Sequence, residues 1–187
     1  MVATSLDSKE TLKTKHWSCV PHLKELKRLG CLVLHEVDVY DMDGHPTLMT
    51  MKFDRIIFNF PHAGHFPWLC ERDDCLIEMH KELLMDFFRS ACEMLTKGGE
   101  VHVSHRDDYP YKGWNIEELA KRAGLDLKDK VEFRKMDYPG YHNKRGGDIK
   151  SNKTFPLREC FTFKFSSSGE FNSLRKMMET GSGSNGL

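Results

Sequence analysis

The chain has no surplus of charge of either sign. Its 187 residues carry 28 Lys and Arg against 28 Asp and Glu, so no global field draws it to nucleic acid or membrane, and any RNA contact must rest on a local patch. It has no apolar run approaching the roughly 20 residues of a membrane span. Its opening, MVATSLDSKE, lacks the basic and apolar regions of a signal peptide. A soluble intracellular protein is expected. Cysteine is neither dense nor paired: Cys19, Cys31, Cys70, Cys75, Cys92 and Cys160 are scattered without a CxxC pair, so reduced thiols are expected. Internal repeats are absent, and no glycine precedes Gly30.

What is present is an alternation of short apolar runs and amphipathic segments. Val2 to Ser5 reads as the end of a strand. A charged amphipathic helix comes next, from Lys9 to about Leu29, and stops at Gly30. Cys31 to Val37 and Phe53 to Phe58 read as strands. The apolar face Ile77, Leu84, Phe87, Phe88, Ala91 and Leu95 predicts a helix from about Asp74 to Leu95. After Gly98-Gly99 come a strand over Glu100 to Ser104, a helix around Ile116 to Ala123 ended by Gly124, and strands near Val131 to Lys135 and Glu159 to Phe165. This pattern predicts one α/β domain over residues 1–165, a doubly wound sheet with helices on both faces. Residues 166–187, rich in Ser, Gly and Asn, read as a flexible tail.

The richest segment is FDRIIFNFPHAGH, Phe53 to His65. A short apolar strand runs into Asn59-Phe60-Pro61-His62, which places an amide, a rigid ring and an imidazole where the strand ends. In open α/β sheets that end binds ligands. Such a turn suits methyl transfer to a nitrogen in a planar ring, the Asn carbonyl accepting the ring N–H while stiff neighbours flank the ring. It also suits a plain loop, with Asn59 and Pro61 serving turn geometry. His62, His65, Cys70, Cys75 and His80 fall within nineteen residues, but irregularly spaced, so they read as loop and helix residues and no metal site is expected. His102 and His105 read as satisfied neutral side chains. The loop Asp107 to Tyr111 comes after a strand and can line a pocket.

Taken in order, ATSLDS at 3–8, LHEVDV at 34–39, FDRIIFNFPHAGH at 53–65, GEVHVSH at 99–105 and YPGYHNKRG at 138–146 resemble the Rossmann-like domain of the rRNA uridine-N(3) methyltransferase-like family. The resemblance covers roughly residues 2 to 165. It implies a Rossmann-like doubly wound methyltransferase sheet, S-adenosylmethionine as methyl donor, and an rRNA uridine as substrate. Asp7 then falls where an acid meets the ribose hydroxyls, Asp38 near the adenine edge, and Asn59, Pro61 and His62 at the target base. Asn59 would accept the imide hydrogen bond, while His62 would orient the ring or accept its proton. RNA binding would fall to Tyr138, Tyr141, Lys144 and Arg145, where aromatics interleave with cations.

Members of that family carry a strand and a glycine-rich GEGDFSF-like loop before the segment resembling ATSLDS, and this sequence has neither. A sheet truncated at its N-terminal strand is therefore expected, with cofactor binding impaired or a protein partner supplying the strand. The alternative is a catalytically degenerate RNA- or protein-binding module of the same fold. Nucleolar or nuclear location is implied by the rRNA resemblance, and a cytoplasmic one otherwise.

Overall fold

Ser8 starts the first helix, its Oγ accepting the Thr11 N–H at 3.1 Å, the side-chain cap that a helix N-terminus requires. The computed structural model describes residues 1–146 and 149–169. Where the sequence predicts one helix over 9–29 there are two, α1 (Lys9–Lys15) and α2 (Cys19–Arg28). Pro21 explains the break. Inside a continuous helix its ring would clash with the preceding turn, whereas in the first turn of α2 its missing N–H costs nothing.

β1 (Val2–Ser5) pairs in parallel with β2 (Leu32–His35). β3 (Phe53–Asn59), β4 (Leu95–Arg106), β5 (Leu125–Glu132) and β6 (Cys160–Ser167) form a second sheet in the order β3-β4-β6-β5. β3 and β4 are parallel, and β6 runs antiparallel to both of its neighbours. Two helices complete the fold, α3 (Asp74–Met94) and α4 (Ile116–Arg122).

Several boundaries differ from those predicted. β4 begins at Leu95, directly after α3, and runs through Gly98-Gly99, because Phe53 of β3 pairs with Leu95 before the register shifts. A Cβ at Gly99 would stand 2.9 Å from the Phe53 carbonyl oxygen, so only glycine lets the strands approach there. β5 starts six residues before the expected Val131, pairing from Leu125 against Ser167 of β6. Ser166 and Ser167, assigned by composition to the tail, are strand residues. Residues 170–187 of the expected tail lie outside the described residues.

The core lies between α3 and one face of the second sheet. Leu76, His80, Leu84 and Phe88 succeed one another at a spacing of four on α3, and all are buried. Leu84, Phe88 and Ala91 join a cluster with Val101 and Val103 of β4, Leu125 of β5 and Phe163 and Phe165 of β6. Each buried Phe or Leu contributes roughly 1.5–3 kcal/mol relative to exposure. On β3, Ile57 projects away from this cluster, 57% exposed. Near it are the ion pairs Arg55–Glu100 and His102–Glu100. Charged pairs rather than a helix-packed apolar layer therefore mark that side of β3 and β4. Among the described residues no ladder joins β1 to β3, although Val2 and Leu34 pack against the same core as Ile56 and Phe58.

Candidate functional site

β3 and β4 end side by side, Asn59 opposite Ser104, and the segments that leave the two strands wall a cavity of ≈ 350 Å³. From the turn after β3 come Phe60, Pro61, His62 and His65; from the end of β4 and beyond come His105, Arg106, Tyr111 and Trp114. Lys144, Arg145 and Phe155 close the rim. Phe60 has φ 50°, a left-handed conformation rare for a side chain of its size. Its N–H donates to the Ser104 carbonyl at 2.7 Å, and its ring sits 5.1 Å from Phe133 and 5.2 Å from Phe155. Packing on both sides of the chain thus holds a strained residue at the lip of the cavity.

Behind the turn lies a buried imidazole–carboxylate cluster. His62 stacks on His65 with centroids 4.3 Å apart. The His62 Nε2–H donates to Glu71 Oε1 at 3.0 Å, and His80 Nε2 lies 3.6 Å from Glu71 Oε2. Burial pushes the Glu71 carboxyl upward, but the hydrogen bond from His62 and the attraction of the nearby His62 and His80 rings outweigh it and hold the group well below the usual carboxylate range. Burial lowers His80 from its ordinary value against the pull of Glu71, and burial likewise lowers His65. The ligating atoms of His62, Glu71 and His80 lie within 4.8 Å of one another, close enough to hold a metal ion. The backbone opposes that use. The Gly64 N–H donates to His62 Nδ1 at 3.1 Å and the Ala63 N–H to His80 Nδ1 at 3.0 Å, so in the neutral rings the proton sits on Nε2 and that nitrogen has no lone pair for a metal. Cys70 and Cys75, the thiols of the same sequence stretch, are exposed, with the Cys70 thiol donating to Asp73 at 3.1 Å.

The residues predicted from sequence divide. Pro61 and His62 line the cavity, whereas Asn59 is exposed at the end of β3 and does not. Both ring nitrogens of His62 are engaged, Nε2 with Glu71 and Nδ1 with the Gly64 N–H. Asp7 and Asp38 lie just past the carboxyl ends of the neighbouring strands β1 and β2. Asp7 Oδ1 accepts from Lys15 at 2.7 Å, and Asp38 Oδ1 accepts the Tyr40 N–H at 3.2 Å. The two carboxylates thus stand near the ends of adjacent parallel strands, each engaged in a local hydrogen bond. Tyr138 stacks on Phe133 at 5.1 Å with its ring half exposed. Tyr141 packs edge-on against Phe133, and burial pushes its hydroxyl up to about 12. The Lys144 ammonium donates to the Asn152 carbonyl. Arg145 Nε is buried at the cavity rim with no hydrogen-bond partner among the described residues.

Sequence reasoning passed over Glu71, Trp114 and Arg106. Glu71 gave no signal in a charged loop, and Trp114 reads as ordinary core. His105, expected to be a satisfied neutral side chain, is one: its Nε2–H donates to the Tyr111 carbonyl at 3.2 Å, and burial lowers its pKa to about 4.

The fold is that of the Rossmann-like S-adenosylmethionine-dependent methyltransferases. A methyltransferase of this class from Clostridium acetobutylicum superposes with a TM-score of 0.52, covering 90% of this chain and 75% of that one at 14% identity. Within that class the chain belongs to the BMT5-like rRNA (uridine-N3-)-methyltransferase family, whose model matches residues 1–145. It is similar to the heavy metal-associated isoprenylated plant protein 41 of Arabidopsis thaliana, with 48% identity over 87% of this chain, and spans 31% of that protein's length. It is also similar to the 25S rRNA (uridine(2634)-N(3))-methyltransferase of Saccharomyces cerevisiae, 28% identical over 56% of this chain and 39% of that protein. S-adenosylmethionine is the methyl donor that family and fold imply. Among the described residues no helix is long and apolar enough to cross a membrane.

Proposed function

We propose that this chain transfers a methyl group to ring nitrogen 3 of a uridine in large-subunit rRNA. The observation that carries the reading is the turn after β3. It lies at the carboxyl end of a parallel strand and walls a cavity where aromatic faces meet the Arg145 Nε, which has no hydrogen-bond partner among the described residues. That combination takes an unstacked base with its phosphate.

When bound, S-adenosylmethionine supplies a methyl on a sulfonium; the N3–C bond forms as the C–S bond breaks, S-adenosylhomocysteine leaves and the imide proton passes to solvent. Asp7 and Asp38 hold the donor's nucleoside. Asn59, exposed at the end of β3 and outside the cavity lining, accepts the imide hydrogen bond through its side-chain oxygen from a base whose edge projects past Pro61. Pro61 and the His62 ring fix the plane of the base, and most of the acceleration comes from this positioning. Such a substrate places the protein in the nucleus or nucleolus. A strand from a protein partner, laid between the open edges of β1 and β3, would join the two sheets.

The test is incubation of the chain with S-adenosylmethionine and an RNA hairpin carrying an unpaired uridine, then mass spectrometry of the nucleosides. 3-Methyluridine is expected, and its loss in Asn59→Ala. A second reading, a non-catalytic module of the same fold, is favoured by the Asp7–Lys15 pair, whose side chains are 25% and 14% exposed and which occupies one oxygen of the ribose-binding acid. Under it the chain shows no calorimetric S-adenosylmethionine binding yet still retains RNA.

A further inference from the structure

Glu71 stands between the turn after β3 and the start of α3, and touches both histidines that pack behind the cavity. Each histidine has its Nδ1 turned to a backbone N–H of the same turn, Gly64 for His62 and Ala63 for His80. A backbone amide can only donate. Both neutral rings therefore carry their proton on Nε2, and both Nε2 atoms face the two oxygens of one carboxylate. His80 is fully buried and fixed on α3 within the apolar stripe. Its ring also stacks 4.0 Å from Trp114, which lines the same cavity. The geometry thus runs from the rigid helix through His80 and Glu71 to His62, the ring that the cavity presents.

We propose that Glu71 is a positioning residue that locks His62 and His80 in the Nε2–H form and fixes the Pro61–His65 turn against α3, so that His62 serves as an aligned ring and not as a base. The part concerning catalysis rests on the methyl-transfer reading; the proton arrangement does not. Glu71 also lines the cavity, but its Oε1 is committed to His62 at 3.0 Å, so its effect passes through His62. The His80–Glu71 distance, 3.6 Å, exceeds a normal hydrogen bond, so Glu71 holds His80 by charge while the Ala63 N–H and the Trp114 ring fix its orientation. The same arrangement denies the cluster a metal ion, since ligation through Nε2 would set each Nδ1–H against a backbone N–H.

Long-range proton–nitrogen spectra of the 15N-histidine-labelled chain read the ring protons directly. Both His62 and His80 are expected in the Nε2–H form at pH 7.5, unchanged by equimolar zinc. Either ring in the Nδ1–H form, or a stoichiometric zinc-induced shift, overturns the proposal. In parallel, Glu71→Ala is expected to lower kcat by about a hundredfold with KM for RNA and the affinity for S-adenosylmethionine little changed. Glu71→Gln, which keeps an acceptor for His62, is expected to recover part of that loss. Equal kcat in wild type and Glu71→Ala, or no recovery in Glu71→Gln while it remains folded by circular dichroism, overturns the positioning role. If the wild-type chain transfers no methyl, the functional reading fails, and the spectra still decide the proton arrangement.

Discussion

His80 and Trp114 stack with ring centroids 4.0 Å apart and planes 26° apart, joining α3 to the short 3-10 turn after β4 at the back of the cavity. Both are almost wholly buried, and the Trp114 Nε1 has no hydrogen-bond partner among the described residues. The indole thus contributes packing rather than a polar contact. Trp114→Ala should cost about 3–5 kcal/mol of folding free energy. Trp114→Phe, which also removes an unsatisfied donor, should cost far less. Urea denaturation of the two variants measures the difference, and equal losses would show that the indole N–H is engaged after all.

Acid should weaken the fold in two stages. Burial lowers His105 to about 4 in the folded chain, against its ordinary 6.5. Its contribution is full above the unfolded value and is lost as pH falls from about 6.5 to 4, because only the unfolded chain then takes up the proton. The loss is up to about 3 kcal/mol. His80, also lowered by burial, adds to the same limb. Glu71, held low in the folded chain, is lost below about 4.5, when the unfolded carboxyl protonates first. Urea midpoints measured from pH 8 to pH 3 should fall along both limbs; a flat profile down to pH 5 would contradict the burial of His105.

Gly99→Ala should separate β3 from β4 locally. The new methyl would meet the Phe53 carbonyl oxygen at 2.9 Å and the Leu95 and Thr96 side chains at 3.1 Å. Two of these neighbours belong to the junction between α3 and β4, and the third is backbone, so none yields easily. A loss of about 1–3 kcal/mol is expected, read as a lower urea midpoint. Gly98→Ala probes the neighbouring position differently, since its Cβ meets open space but its φ is 81°, and it should cost about 1 kcal/mol through backbone strain alone.

Arg145→Ala should weaken RNA binding evenly across sequences and reduce the slope of log affinity against log salt by about 1. Its thermal midpoint should stay close to that of the parent, because the guanidinium sits at the rim and its Nε has no hydrogen-bond partner among the described residues. Tyr141→Phe should leave RNA affinity unchanged, as the ring is committed to Phe133. Filter binding at several salt concentrations separates the two: a Tyr141→Phe defect as large as that of Arg145→Ala would return Tyr141 to the RNA surface.

Elements with a single strong period were legible. α3 is apolar at steps of three and four and starts at Asp74 as predicted, while β3 is bounded by charge before it and by the Asn-Phe-Pro turn after it. The split of the first helix was legible in principle through Pro21. The full length of β4 was not, because residues 95–99 become strand only by pairing with Phe53, a contact across some forty residues. Pro61 and His62 were found because an unusual turn comes after a strand. Asn59, chosen for the same reason, is exposed at the end of β3 and is not among the residues that line the cavity.

By itself the sequence determined the α/β alternation, the family and the identity of the turn that ends β3, because these rest on local periodicity and on contiguous motifs. Only the tertiary structure decided which chemistry that turn has at hand. Glu71, His80 and Trp114 reach it from a loop, a helix and a 3-10 turn, and the protons on His62 and His80 are set by backbone amides whose direction no side-chain pattern encodes. Low-dielectric burial then turns those few hydrogen bonds into a fixed arrangement, and burial exists only once the chain has folded.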